Sequence, residues 1–170
     1  MKQLLFSLLV AAVFISPGCR KIFPEGPAVT EERSVPEFTK VEAAFSGDVV
    51  FVQGAEKSVK VEAAQNIQSY ILTEVHGSTL VLKTKPNVNI KGGSVMIYVT
   101  NPNIASAAIS GSGDFSVNTE INTSSMDVRI SGSGNISIPK LTANNVTAHI
   151  TGSGNISIDG GTTNVQEITI

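Results

Sequence analysis

The chain has 170 residues, 41% of them hydrophobic but only 5% aromatic, with no tryptophan and a single cysteine. That is enough apolar material for one modest domain. A formal net charge of −2 gives no one-signed field, which excludes nucleic acid as a partner, and one cysteine with two histidines excludes zinc or redox chemistry.

A basic residue, Lys2, precedes an apolar run ending at Ile15. The run is too short for a stable membrane span and reads as a signal peptide, residues 1–18. Cys19 follows Ser16-Pro17-Gly18 and resembles a bacterial lipoprotein processing site, although Ser16 stands where an aliphatic residue is usual. Lipidation at Cys19 would anchor the protein to a membrane, since two or three acyl chains hold far more firmly than one. Residues 19–34, with Pro24, Gly26 and Pro27 and no apolar periodicity, are expected to be a flexible tether. Arg20 and Lys21 stand where some surface-exported lipoproteins of the Bacteroidetes carry acidic residues, so the side of the outer membrane is left open.

From residue 35 the pattern is strand after strand. Val41, Ala43 and Phe45 alternate with other residues, Asp48 to Gln53 is strongly β-forming, and Val59, Val61 and Ala63 alternate again. The stretch Gly54 to Lys57 has hairpin length, as does His76-Gly77-Ser78 further on. Asn66 to Tyr70 suits one helical turn with Asn66 as its cap. Residues 35–100 are irregular and read as a capping region for the repeats that come after them.

Residues 101–170 repeat one phrase: Ile109-Ser-Gly-Ser-Gly-Asp-Phe-Ser-Val117, then copies starting at Ile130 and Ile150, with Ile170 a further 20 positions on. A period of about 20 residues predicts a parallel β-solenoid, one coil per copy, within a single domain over 35–170. In-register stacking would align Ile109, Ile130, Ile150 and Ile170, then Phe115, Ile136 and Ile156, then Val117, Ile138 and Ile158. Rungs about 4.8 Å apart leave no room for side chains at a repeated corner. Gly111, Gly113, Gly132, Gly134, Gly152 and Gly154 are therefore the structural turn residues, with positive φ available to them. Asp114, Asn135 and Asn155 close the same turns by bonding nearby backbone. Because Ile170 opens another coil, a C-terminal truncation is expected.

Gly111-Ser-Gly-Asp114 invites a calcium reading, but glycine-aspartate calcium repeats carry an aspartate in every copy, and here Asn135 and Asn155 replace it. Catalysis lacks clustered carboxylates, since Asp114 sits in a column of asparagines, and each Gly-Ser-Gly is a corner rather than a nucleophile elbow. His149 is expected to face solvent. The Asn-x-Ser/Thr sequons at Asn122, Asn135, Asn145 and Asn155 carry no weight in a bacterial lipoprotein. No catalytic residue, metal site or cofactor is expected. Ser116, Ser137, Ser157, Thr119, Thr123, Thr142 and Thr147 offer uncharged hydroxyl faces that can meet a glycan or a protein, although Tyr70 and Tyr98 lie outside the repeats.

The tandem phrases, behind Tyr98-Val-Thr-Asn-Pro-Asn-Ile104 and a lipoprotein-like start, resemble the family known as "putative auto-transporter adhesin, head GIN domain", over roughly residues 38–170. The resemblance implies a β-solenoid and an exported life in the Bacteroidetes envelope, and carries no catalytic residues. The resulting expectation is an adhesin-like, non-catalytic, lipid-anchored binding or structural module of the outer membrane. The alternatives are a periplasm-facing scaffold or envelope-stress lipoprotein and, third, a polysaccharide-processing β-helix enzyme.

Overall fold

The computed structural model describes residues 18–170, so the signal-peptide reading falls almost wholly outside the described residues. The front half forms β1 (Arg20–Ile22), β2 (Ala28–Glu32), β3 (Lys40–Ala44), β4 (Asp48–Gln53), β5 (Ser58–Ala64), β6 (Ile71–His76), β7 (Thr79–Thr84), β8 (Val88–Ile90) and β9 (Met96–Asn101). The back half forms β10 (Ser106–Ile109), β11 (Phe115–Val117), β12 (Ile121–Ile130), β13 (Ile136–Ile138), β14 (Leu141–Ile150), β15 (Ile156–Ile158) and β16 (Gly161–Thr169). Alternation drives these assignments. In β5, Val59, Val61 and Ala63 are buried while Lys60 is exposed between them, as a half-buried strand requires.

Two seven-stranded sheets stack face to face. One runs β16-β14-β12-β10-β3-β7-β6, the other β15-β13-β11-β4-β9-β5-β2, and β1 and β8 form a separate two-stranded ribbon. Between the large sheets lies one continuous core. Val41, Leu80, Leu82, Ile109, Val128 and Ile130 come from the first sheet, and Val49, Phe51, Ile97, Phe115 and Ile136 from the second. Phe51 and Phe115 stack across β4 and β11, with ring centroids 6.3 Å apart and planes inclined by 22°.

The expected regular parallel β-solenoid is corrected by this topology. Both sheets are mixed: β2 pairs antiparallel with β5, β5 with β9, and β6 with β7. Nor does the chain advance one rung at a time. The β3 and β4 rung lies in the middle, flanked by β7 and β9 on one side and by β10 and β11 on the other. The result is a β-sandwich-like fold without a closed solenoid. Within it the repeat phrases pair parallel and in register, Ile109 with Ile130, Ile130 with Ile150, and Phe115 with Ile136.

Residues 35–100 are likewise not a cap, because they supply strands to both sheets. The Gly54–Lys57 connection is not a hairpin either. β9 inserts between its arms, parallel to β4 and antiparallel to β5. The helical turn is a 3-10 segment, Gln65–Tyr70, with Ala64 at its N-cap and no side-chain cap bond. Asn66 instead donates its amide to Phe23 O at 2.9 Å and accepts from the Glu25 N–H at 2.9 Å. That bond helps fix the stretch expected to be a flexible tether. β1 lies parallel to β8 and β2 antiparallel to β5, so half of residues 19–34 is held by backbone pairing.

Candidate binding face

The six repeat glycines sit at one edge of the sandwich, where the chain turns from the first sheet to the second. Positive φ is not what selects them, since among the six only Gly152, at φ +153°, lies in that region. Close approach selects them. A Cβ on Gly134 would overlap the carbonyl oxygen of Gly113, and one on Gly154 that of Gly134. The same collision recurs at Gly111 against Phe45 O, at Gly113 against Gly47 O, and at Gly132 and Gly152 against the glycine carbonyl one rung before. Backbone packs on backbone through the whole column.

Beside the glycines runs a ladder of side-chain bonds. Asn155 donates its backbone N–H to Asn135 Oδ1 at 3.1 Å, Asn135 donates to Asp114 Oδ1 at 2.9 Å, and Asp114 donates to Asp48 Oδ1 at 2.9 Å. The side-chain amides of Asn135 and Asn155 repeat the link at 2.9 and 3.2 Å. Asp48 corrects the expectation that Asp114 has no acidic neighbour, for it occupies the next place in the same column. No group of three or more His, Cys, Asp or Glu side chains converges on a common point among the described residues.

The outer face of the second sheet gathers the hydroxyls. Register places Ser157, Ser137 and Ser116 in one row, continued by Val50, Tyr98, Lys60 and Glu32. Tyr98 is thus on the serine row, although it lies outside the repeats in sequence. The residue is 38% exposed and its hydroxyl donates to Glu62 Oε2 at 3.4 Å. Around it Val50, Val52, Glu56, Ser58, Lys60 and Thr100 line a shallow depression of about 470 Å³. An exposed phenol ring beside hydroxyls, one cation and two carboxylates can stack on an apolar face and hydrogen-bond at its rim. Sequence reading missed this placement because β9 joins β4 only through long-range pairing.

On the first sheet the outer face is mixed in charge. Arg129 pairs with Asp127 at 2.8 Å, and His149 is half-exposed and lies 2.9 Å from the Thr151 hydroxyl. Thr123 and Thr147 are partly exposed and lie on β12 and β14, Thr142 lies 3.4 Å from Glu120, and the Thr119 hydroxyl accepts from the Gln53 N–H at 2.8 Å. On β6, Glu74 receives Lys83 at 2.8 Å and His76 at 3.2 Å, and the Lys83 hydrogen bond foremost holds its carboxyl below the ordinary carboxylate range. Cys19 is exposed and immediately precedes β1. No helix among the described residues is long and apolar enough to cross a membrane.

Solved structures share this architecture. A putative lipid binding protein from Parabacteroides distasonis ATCC 8503 superposes with a TM-score of 0.79 at 21% identity, over 85% of this chain and 63% of its own. This chain therefore spans less than two thirds of that protein. A putative adhesin from Bacteroides fragilis NCTC 9343 gives 0.65 at 18% identity, over 87% of this chain and 95% of its own. A second putative adhesin, from Parabacteroides distasonis ATCC 8503, gives 0.67 at 21% identity, over 85% and 70%. At such identities the likeness is one of fold. No curated protein matches the chain in sequence. The family profile described as "Putative auto-transporter adhesin, head GIN domain" matches residues 37–170.

Proposed function

The chain belongs to the putative auto-transporter adhesin, head GIN domain family, and from that premise we propose an exported, adhesin-like, non-catalytic binding module of the bacterial cell envelope, lipid-anchored at Cys19. The observation that carries the binding role is the outer row in which Tyr98 joins Ser116, Ser137 and Ser157. A ring of that exposure beside a flat hydroxyl surface suits a sugar face or an extended peptide, and tyrosine is among the residues that dominate binding energy at such surfaces. Two neighbours of similar fold bear the name putative adhesin. Anchoring is supported by the exposure of Cys19 at the start of a paired strand.

Glycan and protein arrays probed with the full chain are expected to return a ligand whose binding falls about tenfold in Tyr98→Ala. Binding unchanged by that substitution overturns the tyrosine row as the site. Cys19→Ser is expected to release the protein from membranes, and unchanged fractionation refutes the anchor. Protease shaving of intact cells, with a periplasmic control, then separates surface display from a scaffold confined to the periplasm.

A further inference from the structure

The ribbon of β1 and β8 gathers cations that form no ion pair among the described residues. The ion pairs among the described residues engage Arg33, Lys57, His76, Lys83, Arg129 and Lys140. Arg20, Lys21, Lys85 and Lys91 take part in none of them, and all four are exposed. Backbone bonds bring them together. Arg20 N donates to Asn87 O at 2.7 Å and Lys91 N to Ile22 O at 2.8 Å, tying β1 along β8 from end to end. Arg20 and Lys85 converge further, their charges 5.9 and 5.6 Å from the centroid of the Tyr70 ring.

Strand alternation sorts the side chains of the ribbon. Ile22 and Ile90, paired in register, turn inward and pack against the core. Cys19, Lys21 and Phe23 fall on the opposite face, and Lys91 follows Ile90 on the neighbouring strand. Phe23 is 62% exposed, the largest exposure of any aromatic ring among the described residues. Beyond it Pro24 packs on Gly93, where a Cβ would collide with the proline ring, so the end of the strand is fixed in place. One rigid face therefore carries an apolar ring, flanking cations and the sulfur proposed to bear the lipid.

We propose that this ribbon is a membrane-contact surface, lying on an anionic lipid leaflet with Phe23 at the headgroup boundary and Lys21 and Lys91 facing lipid phosphates, while Arg20 and Lys85, held over Tyr70, add to the positive field from the edge of the ribbon. The charge is complementary to an anionic surface, an exposed ring between cations is the usual composition of an interfacial anchor, and Cys19 places the acyl chains on the same face. The proposal rests on the lipid-anchored reading and adds to it. A lipid on an unstructured leash leaves a domain free to tumble, whereas a docked ribbon gives the binding face one orientation to the membrane.

Because the chain has no tryptophan, Phe23→Trp introduces a single fluorophore into the full chain. The variant is purified from membranes and reconstituted in vesicles of phosphatidylcholine alone or with about a quarter phosphatidylglycerol. On anionic vesicles its emission is expected to shift to the blue and to be quenched by brominated acyl chains. It should return to the solvent value in about 1 M salt, where screening is nearly complete. Lys21→Glu with Lys91→Glu, which leaves the Tyr70 contacts intact, should give solvent-like emission with an unchanged melting temperature. Identical emission on neutral and anionic vesicles overturns the proposal. The mass of the N-terminal peptide reports acylation independently. Acylated protein with unresponsive fluorescence sinks the docking surface and spares the anchor, while unacylated protein that still responds to anionic vesicles does the reverse.

Discussion

The two halves of the sandwich use the same rung and write it differently. In the back half each turn reads Gly-Ser-Gly followed by Asp or Asn, and each rung pairs with the next about 20 residues away. The central rung of the front half, β3 and β4, turns through Phe45-Ser46-Gly47-Asp48. It aligns with the first copy residue for residue, Ala43 beside Ile109 and Val49 beside Phe115. One glycine has become phenylalanine, and position explains it. The corner that would stack on Phe45 is absent, because the chain between β7 and β9 swings out to form β8. Phe45 is buried there at 6% exposure, in the space a further rung would fill. Glycine is required at this corner only where another backbone lies on the side its Cβ would occupy.

That difference is broken most directly at Gly134. Its Cβ would overlap Gly113 O, and relief would require two rungs to part. Gly134→Val is expected to cost about 5 kcal/mol or more, from overlap with the neighbouring rung and the packing lost in relieving it. Chemical denaturation checks it, and a variant as stable as wild type would refute the stacked corner.

Next in size is the joint between the halves. Phe51 belongs to the front half and Phe115 to the back, and both are fully buried. Phe51→Ala should cost about 3–5 kcal/mol. The loss should appear as one cooperative transition, since the halves share a core. Two separated transitions in the variant would show that the back half folds on its own.

A smaller effect sharpens the contrast in glycine use. Gly77, in the turn between β6 and β7, has φ +62° and nothing within reach of an added Cβ. Gly77→Ala should therefore cost about 1–2 kcal/mol through conformation alone. Measured beside Gly134→Val, it separates a glycine chosen for its dihedral angle from one chosen for its lack of volume.

How much of the fold was legible in the sequence depends on range. Strand alternation, the hairpin at Gly77 and the register of Ile109, Ile130 and Ile150 are local or periodic signals, and they read correctly. The pairing of Lys40 with Ser106, or of Val50 with Tyr98, spans dozens of residues with no periodic mark. Hydrophobic pattern says that a strand has a buried face and does not say which strand lies beside it. The solenoid expectation failed on that point: the repeats do follow one another rung by rung, but the front half places β7 and β9 on the far side of β3 and β4 and adds antiparallel strands there. The candidate face was half legible for the same reason. Ser116, Ser137 and Ser157 were visible as a row, whereas Tyr98 and Asp48 reach their places only through β9 and β4.

The smallest expected effect concerns charge, which again divides the molecule. The repeat turns are tied by hydrogen bonds from Asn155 to Asn135 and from Asn135 to the Asp114 carboxylate, while the front hairpin relies on Glu74 with Lys83 and His76. The carboxyl of Glu74 titrates below its ordinary value, chiefly because Lys83 donates to it and secondarily because His76 does. A depressed carboxylate contributes stability that is present above its unfolded pKa and is lost as pH falls through the folded value. Wild type and Glu74→Gln should therefore differ slightly at neutral pH and converge in acid, below the ordinary carboxylate range of about 4.3. Because the group lies at the surface, the neutral-pH difference should also shrink in high salt. Urea midpoints at neutral and acid pH, with and without salt, test both statements. A difference that persists in acid would assign the role of Glu74 to packing of its stem rather than to its charge.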